Sequence, residues 1–160
     1  MDAHELADEL GQPGARELLD RTAATLAYTG PDGFPRVIPV GFLWKDERII
    51  VCTATTSPKV DALALRPNVA VSIESGDSPG GAKSLLVRGV ASMETVDGVA
   101  DEYIAMSTKS MGPAQQKEFE REVRRVYQQM VRISIEPRWA RFFDYGAGRL
   151  PAFLKKLGND

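Results

Sequence analysis

Two four-residue polar linkers constrain this chain more than any other feature: "GPDG" (Gly30–Gly33) and "KDER" (Lys45–Arg48). They join β-rich apolar runs, and a linker that short allows only antiparallel neighbours, because a parallel pair needs a crossover of about a dozen residues or more. The stretch "TLAYTGPDGFPRVIPVGFLWKDERIIVCTA" therefore predicts three antiparallel strands in quick succession.

The flanking segments complete the pattern. Asp2 to Arg21 predicts a helix broken near "GQPG" (Gly11–Gly14), anchored by Leu6, Leu10, Leu18 and Leu19. "SPKVDALALRP" predicts a short helix with Ser57 as N-cap, Pro58 at the first helical position and Pro67 as its stop. "NVAVSIES" is the next strand, "GDSPGG" a loop without regular structure, and "SLLVRGVASMETV" a long strand in which Gly89 marks a bulge or a close backbone approach. A helical region follows, restarted at Pro113, then final strands "MVRISIEP" and "RWARFFDY" and a terminal helical turn in "AFLKKLG". This order implies a mainly β protein, an antiparallel barrel with flanking helices. One domain is expected over residues 1–160, with an N-terminal helix over 2–21, barrel strands over about 24–95 and 130–145, and a helical insertion over about 98–130.

Charge and rare residues exclude several functions. The formal charge of -2 offers no basic excess for a nucleic-acid backbone. The only cysteine, Cys52, rules out an intramolecular disulfide and a cysteine-rich metal site, and its apolar setting predicts an inert thiol. The only histidine, His4, lies in the first helix and gives a histidine triad or metal centre little to stand on, so no metal is expected. "GDSPGG" lacks the lysine and the strand-to-helix context of a P-loop. The acidic start has neither a basic n-region nor an apolar h-region, and no apolar run reaches membrane-spanning length. A cytoplasmic protein that does not associate with membranes is expected.

Chemistry concentrates in "VCTATTSPKVDAL", Val51 to Leu63. Strand alternation puts Thr53 and Thr55 on one face, with Ser57 at the helix start and Lys59 two residues on. Hydroxyls, the unpaired amides of a helical first turn and one cation together describe a phosphate cradle. The alternative is a capped helix whose lysine is solvated. Upstream, Pro39 interrupts "FPRVIPVGFLW", which predicts an edge strand, or an irregular one with backbone groups free for a planar ligand, or a proline at a harmless bulge.

The ordered series "LAYTGPDGFPRVIPVGFLWKDERIIVCTATTSPKVDALALRPNVAVSIES" and "SLLVRGVASME" resembles the pyridoxamine 5'-phosphate oxidase-like, split β-barrel flavin-binding proteins, a superfamily that includes F420-dependent reductases. The resemblance implies a six-stranded antiparallel split barrel with Greek-key character, a homodimer, and FMN between the subunits. By that resemblance Arg36, Val37, Ile38, Pro39 and Val40 pass along the flavin, while Thr53, Thr55, Ser57 and Lys59 surround its phosphate. Ser84 falls where the oxidase has a glutamine near the ring, Phe143 where it has a tryptophan, and Arg149 where it has a substrate-phosphate arginine. The histidine and second arginine that follow in the oxidase are replaced around "GRLPAF". The implied activity is flavin-dependent oxidoreduction on a small molecule. The alternatives are an F420-dependent reductase, with Arg36 and Lys83 as extra cations, and a carrier or sensor that binds flavin or haem without turnover.

Overall fold

The computed structural model describes residues 1–157; the last three residues of the expected domain lie outside them. The chain opens with α1 (Ala3–Gly11) and α2 (Pro13–Leu19), separated where Pro13 cannot continue the first helix. Asp2 and Glu5 close a reciprocal cap at the start of α1. Then come β1 (Ala23–Thr29), β2 (Pro35–Gly41), β3 (Leu43–Lys45), β4 (Arg48–Ala54), α3 (Pro58–Leu65), β5 (Asn68–Ser75) and β6 (Lys83–Asp97). The helical insertion is α4 (Asp101–Ser107) and α5 (Pro113–Val126), followed by β7 (Gln129–Asp144) and α6 (Ala152–Leu157). "GDSPGG", expected to be irregular, contains a single 3-10 turn at Pro79–Gly81.

All seven strands form one antiparallel sheet in the order β2-β1-β5-β6-β7-β4-β3. The outer strands, β2 and β3, are separated in sequence by Phe42 alone, so the sheet must curl until its two edges nearly meet. No ladder joins β2 to β3, and the curl is open along that seam. The expected six-stranded split barrel keeps its mainly β, barrel-like character, but it has seven strands and the sheet is not closed. Phe42 is the physical reason. It is fully buried, its N–H donates to the Thr22 carbonyl (2.9 Å), and that turn carries the chain from one edge of the sheet to the other.

The final two strands, expected to part at Pro137, are instead continuous. Gly89 pairs with Pro137 and Arg88 with Trp139, leaving Arg138 as the extra residue of a bulge. A bulge tolerates the missing N–H of Pro137. Gly89 is required opposite it, because a Cβ there would stand 2.6 Å from the Glu136 carbonyl oxygen. The core fills the inside of the curl with Leu26, Phe42, Ile49, Ile73, Leu85 and Ile133, capped by Leu18 and Leu19 of α2. A smaller cluster around Val99, Val123 and Met130 holds α4 and α5 against the outer face of β4 and β7.

Candidate functional site

Strand β4 ends at Ala54, one residue before the expected alternation reaches Thr55, which stands exposed in the turn. Thr53 is the last β4 residue on the inner face, in register with Val131. The turn closes by Ser57 N–H donating to the Ala54 carbonyl (3.1 Å), and Pro58 then starts α3 with Ser57 at the N-cap position. Ser57 does not cap the helix with its side chain. Its hydroxyl instead accepts from the Lys59 ammonium (2.7 Å), which also donates to Thr53 Oγ1 (3.3 Å). Three of the expected site residues therefore converge on one point at the start of α3, where Pro58 has no N–H and the Val60 N–H already donates to the Ser57 carbonyl (2.9 Å), so the expected row of unpaired first-turn amides is not formed.

The electrostatics of that point are unusual for this chain. Among the described residues, every other lysine or arginine that is not exposed has a carboxylate partner: Arg36 has Asp32, Arg48 has Glu136, Lys83 has Glu17, Arg132 has Glu94 and Glu102, and Arg149 has Glu9. Lys59 has only the two hydroxyls. Burial therefore acts on it unopposed and pushes its pKa below the ordinary lysine value. Among the described residues Lys59 is thus a half-buried cation flanked by hydroxyls with no carboxylate counterion.

Strand β2 supplies the other expected residues. It lies at the sheet edge, one of the three alternatives that Pro39 left open, and pairs with β1 only, leaving one row of backbone groups unpaired. Arg36, Ile38 and Val40 are half-buried, while Val37 and Pro39 are exposed on the opposite face. Arg36 donates to Asp32 (2.8 Å), whose exposed ion pair holds the guanidinium's pKa up. The guanidinium lies against Gly30, where a Cβ would meet it at 2.8 Å. The Gly30 carbonyl accepts from Arg66 (2.9 Å), the residue that closes α3, so the hairpin carrying Arg36 is tied to the helix carrying Lys59. This tie joins residues 36 apart and has no local sequence signal.

The remaining expected residues are spread elsewhere. Ser84 sits half-buried on β6, paired with Glu74 and Phe143. Arg149 donates to Glu9 (2.8 Å) and to the Phe142 carbonyl (2.8 Å). Glu9 also accepts from Arg141 (2.8 Å) and from the Phe142 N–H (2.9 Å). Burial alone would raise its pKa, but the N–H and the two guanidiniums outweigh that and hold it below the usual glutamate value. Sequence reasoning missed Glu9 and its counterpart Glu102, buried between Lys45 (3.0 Å) and Arg132 (2.9 Å). The available signal was an acid between the apolar anchors Leu6 and Leu10 of an amphipathic helix. Cys52, beside the Glu102 network, has its thiol pushed up to about 11, first by burial and then by that carboxylate, as an inert cysteine should. His4 is exposed on α1, facing Asp8. No group of three or more potential metal ligands occurs among the described residues.

Fold and site together define the class. The chain belongs to the pyridoxamine 5'-phosphate oxidase family, whose sequence description matches residues 13–141. Among solved structures it is similar to a conserved hypothetical protein from Mycobacterium tuberculosis at 26% identity and a TM-score of 0.65, covering 94% of this chain and 89% of that one. It is similar to an F420 reductase at 25% identity and a TM-score of 0.59, covering 78% of this chain and 94% of that one. The haem storage protein HutZ from Vibrio cholerae shares the fold at 20% identity and a TM-score of 0.59, over 83% of this chain and 93% of that one. No curated protein sequence matches the chain. No helix among the described residues is long and apolar enough to cross a membrane.

Proposed function

We propose that this protein is an FMN-dependent oxidoreductase acting on a small molecule as a homodimer, with the flavin phosphate bound by Lys59, Thr53 and Ser57. The observation that carries the reading is Lys59, a half-buried ammonium with two hydroxyl partners and no carboxylate. A phosphate supplies the missing charge and accepts from the ammonium and the two hydroxyls. The unpaired edge of β2, from Arg36 to Val40, offers backbone donors and acceptors to the polar rim of a flat ring, while Thr55 and Ser84 are not brought to the Lys59 cluster. When bound, the flavin supplies the hydride or electron transfer, while the protein orients it and keeps competing reactions out.

The dimer rests on the outer face of β2 and its neighbours. Phe34 is 70% exposed and Val37 68%, and Leu86 of β6 is also exposed. Val37 pairs with Ala27, which pairs with Ala70, so a strip of small and apolar side chains crosses the sheet where a second copy could cover it.

F420 is the second reading, supported by the similarity to an F420 reductase. Its longer anionic tail calls for more cations near Lys59, yet Arg36 is already paired with Asp32 and Lys83 with Glu17, which favours FMN. A haem or flavin carrier without turnover is the third. The absorption spectrum of the purified protein separates flavin, deazaflavin and haem, and FMN titration followed by Lys59→Ala tests the cradle. A haem Soret band, or FMN affinity unchanged in Lys59→Ala, would overturn the reading. Arg149 is the expected substrate-phosphate ligand, but Glu9 already neutralises it, so pyridoxamine phosphate is expected to be a poor substrate. An oxidase assay on FMN-saturated protein checks this, with turnover near 1 per second, an ordinary enzyme's rate, as the contrary result.

A further inference from the structure

A cavity of about 810 Å³ opens between α1 and α2 on one side and the β3–β4 hairpin on the other. It is remote from the cradle. Arg48, on its wall, starts β4, and Thr53 lies five residues along the same strand, about 17 Å away at the rise of an extended chain. Its lining is apolar where Leu6, Leu10, Leu19, Leu43, Trp44 and Pro137 meet.

The charges lining it are not all paired. Lys109 is held by the Asp20 carboxylate (2.6 Å) and carbonyl, and Arg48 faces Glu136 (3.7 Å), which Arg138 also meets (3.2 Å). Three lining charges form no ion pair among the described residues: Arg16, Asp46 and Glu47. Arg16 lies over Gly11, with a nitrogen 3.9 Å from where a Cβ would stand, at the C-terminal end of α1, and the helix dipole there takes up part of its charge. The two carboxylates sit together on the β3–β4 turn, on the hairpin that carries Trp44. An apolar cavity with an indole in its wall and two carboxylates at the adjoining turn that form no ion pair among the described residues suits an apolar body bearing a positive charge.

We propose that this cavity is a second small-molecule site that binds an organic cation, an ammonium carried on an aromatic or alkyl body, with the body on Trp44 and the leucines and the charge toward Asp46 and Glu47. Neither the anion cradle nor the flavin reading requires it.

Trp139→Phe makes Trp44 the only indole and turns it into a reporter. In that background, titration with benzyltrimethylammonium is expected to change Trp44 fluorescence saturably, whereas 3-phenylpropionate, of similar size and opposite charge, leaves it nearly unchanged. The Asp46→Asn, Glu47→Gln pair should weaken the cation about five- to tenfold, the effect of losing two exposed charge contacts. Ala7→Phe, at an exposed α1 position on the cavity wall, should weaken binding by intruding on the space beside the leucines. FMN affinity should be the same in all of these variants. Equal response to the anion, or cation affinity unchanged in the double variant or in Ala7→Phe, would each overturn the proposal. If FMN does not bind while the cation does, the flavin reading fails and this site stands.

Discussion

Lys59 and Glu9 are both charged groups withdrawn from water, and the protein treats them in opposite ways. Glu9 is gripped by Arg141, Arg149 and the Phe142 N–H, and Glu102 likewise by Lys45 and Arg132. Their pKa values fall despite burial. Lys59 has hydroxyls alone, and its pKa falls because burial is unanswered. For a carboxylate a lowered pKa means the charge is stabilised; for an ammonium it means the charge is penalised. The glutamates are clamps that fasten α1 to β7 and α4 to β3 and β7, complete without any ligand. The lysine has no such clamp among the described residues, and in the proposed function an anion completes it. Charge satisfaction therefore separates the residues that hold this fold from the one proposed to serve its site.

Lys59→Ala should weaken FMN binding roughly ten- to hundredfold, since charge-assisted hydrogen bonds contribute about 1.5–3 kcal/mol, while stability stays within about 0.5 kcal/mol. Fluorescence titration and denaturant melts read the two quantities separately. If stability fell and affinity held, Lys59 would be a clamp like the others.

Glu9→Gln should do the reverse, removing about 2–3 kcal/mol of stability by leaving two arginines and a buried N–H poorly matched. The arginines are partly exposed and can recover some hydration, which keeps the figure below that of a fully buried pair. FMN affinity measured well below the melting transition should not change. A melting curve coincident with the parent's would show the clamp to be ornamental.

Acidity separates the two regions without mutation. The folded pKa values of Glu9 and Glu102 lie below the ordinary 4.5, so the unfolded chain takes up protons first, and their stabilisation is lost as pH falls below 4.5 through the folded values. Lys59 works at the alkaline end. Its folded pKa lies below 10.5, so the unfolded chain again holds the proton longer, and stability contributed through Lys59 rises with pH in that window. FMN binding runs the other way there. A bound phosphate favours the ammonium, so affinity falls as pH climbs through the lowered pKa toward 10.5. Affinity flat across that range would mean that Lys59 carries no phosphate.

Smaller effects sharpen the picture. Thr53→Val removes one hydroxyl beside Lys59 and should cost about 0.5–1.5 kcal/mol of FMN binding. Val37→Glu puts a charge on the exposed strip of β2 and should shift the sedimentation of the protein from dimer to monomer, with loss of FMN affinity if the second copy completes the site. A parent protein that sediments as a 17.5 kDa monomer with flavin bound would remove the dimer from the proposal.

The features legible in the chain were those whose causes are local. Pro13 ends α1, Ser57 and Pro58 set the start of α3, and the short polar linkers force antiparallel neighbours, all within a few residues of one another. The cradle is of this kind: Thr53, Ser57 and Lys59 span seven residues, so a strand end and a helix start suffice to bring them together. Gly89 announced a close approach, though not that its mate would be Pro137, because the two are joined only through the β6–β7 ladder. The division of "FPRVIPVGFLW" at Phe42 was likewise invisible. An apolar run looks the same whether it stays in one strand or crosses between edges, and the crossing exists only because the sheet curls. The ion pairs lie furthest from sequence reading. Arg149 is an arginine open to any anion until the fold sets Glu9 beside it, across 140 residues, whereas nothing distant comes to Lys59. Local steric and hydrogen-bonding preferences wrote the elements and the Thr53, Ser57 and Lys59 cluster into the amino-acid order; which charges find a carboxylate and which is left without one among the described residues depends on partners that only chain-wide packing brings within reach.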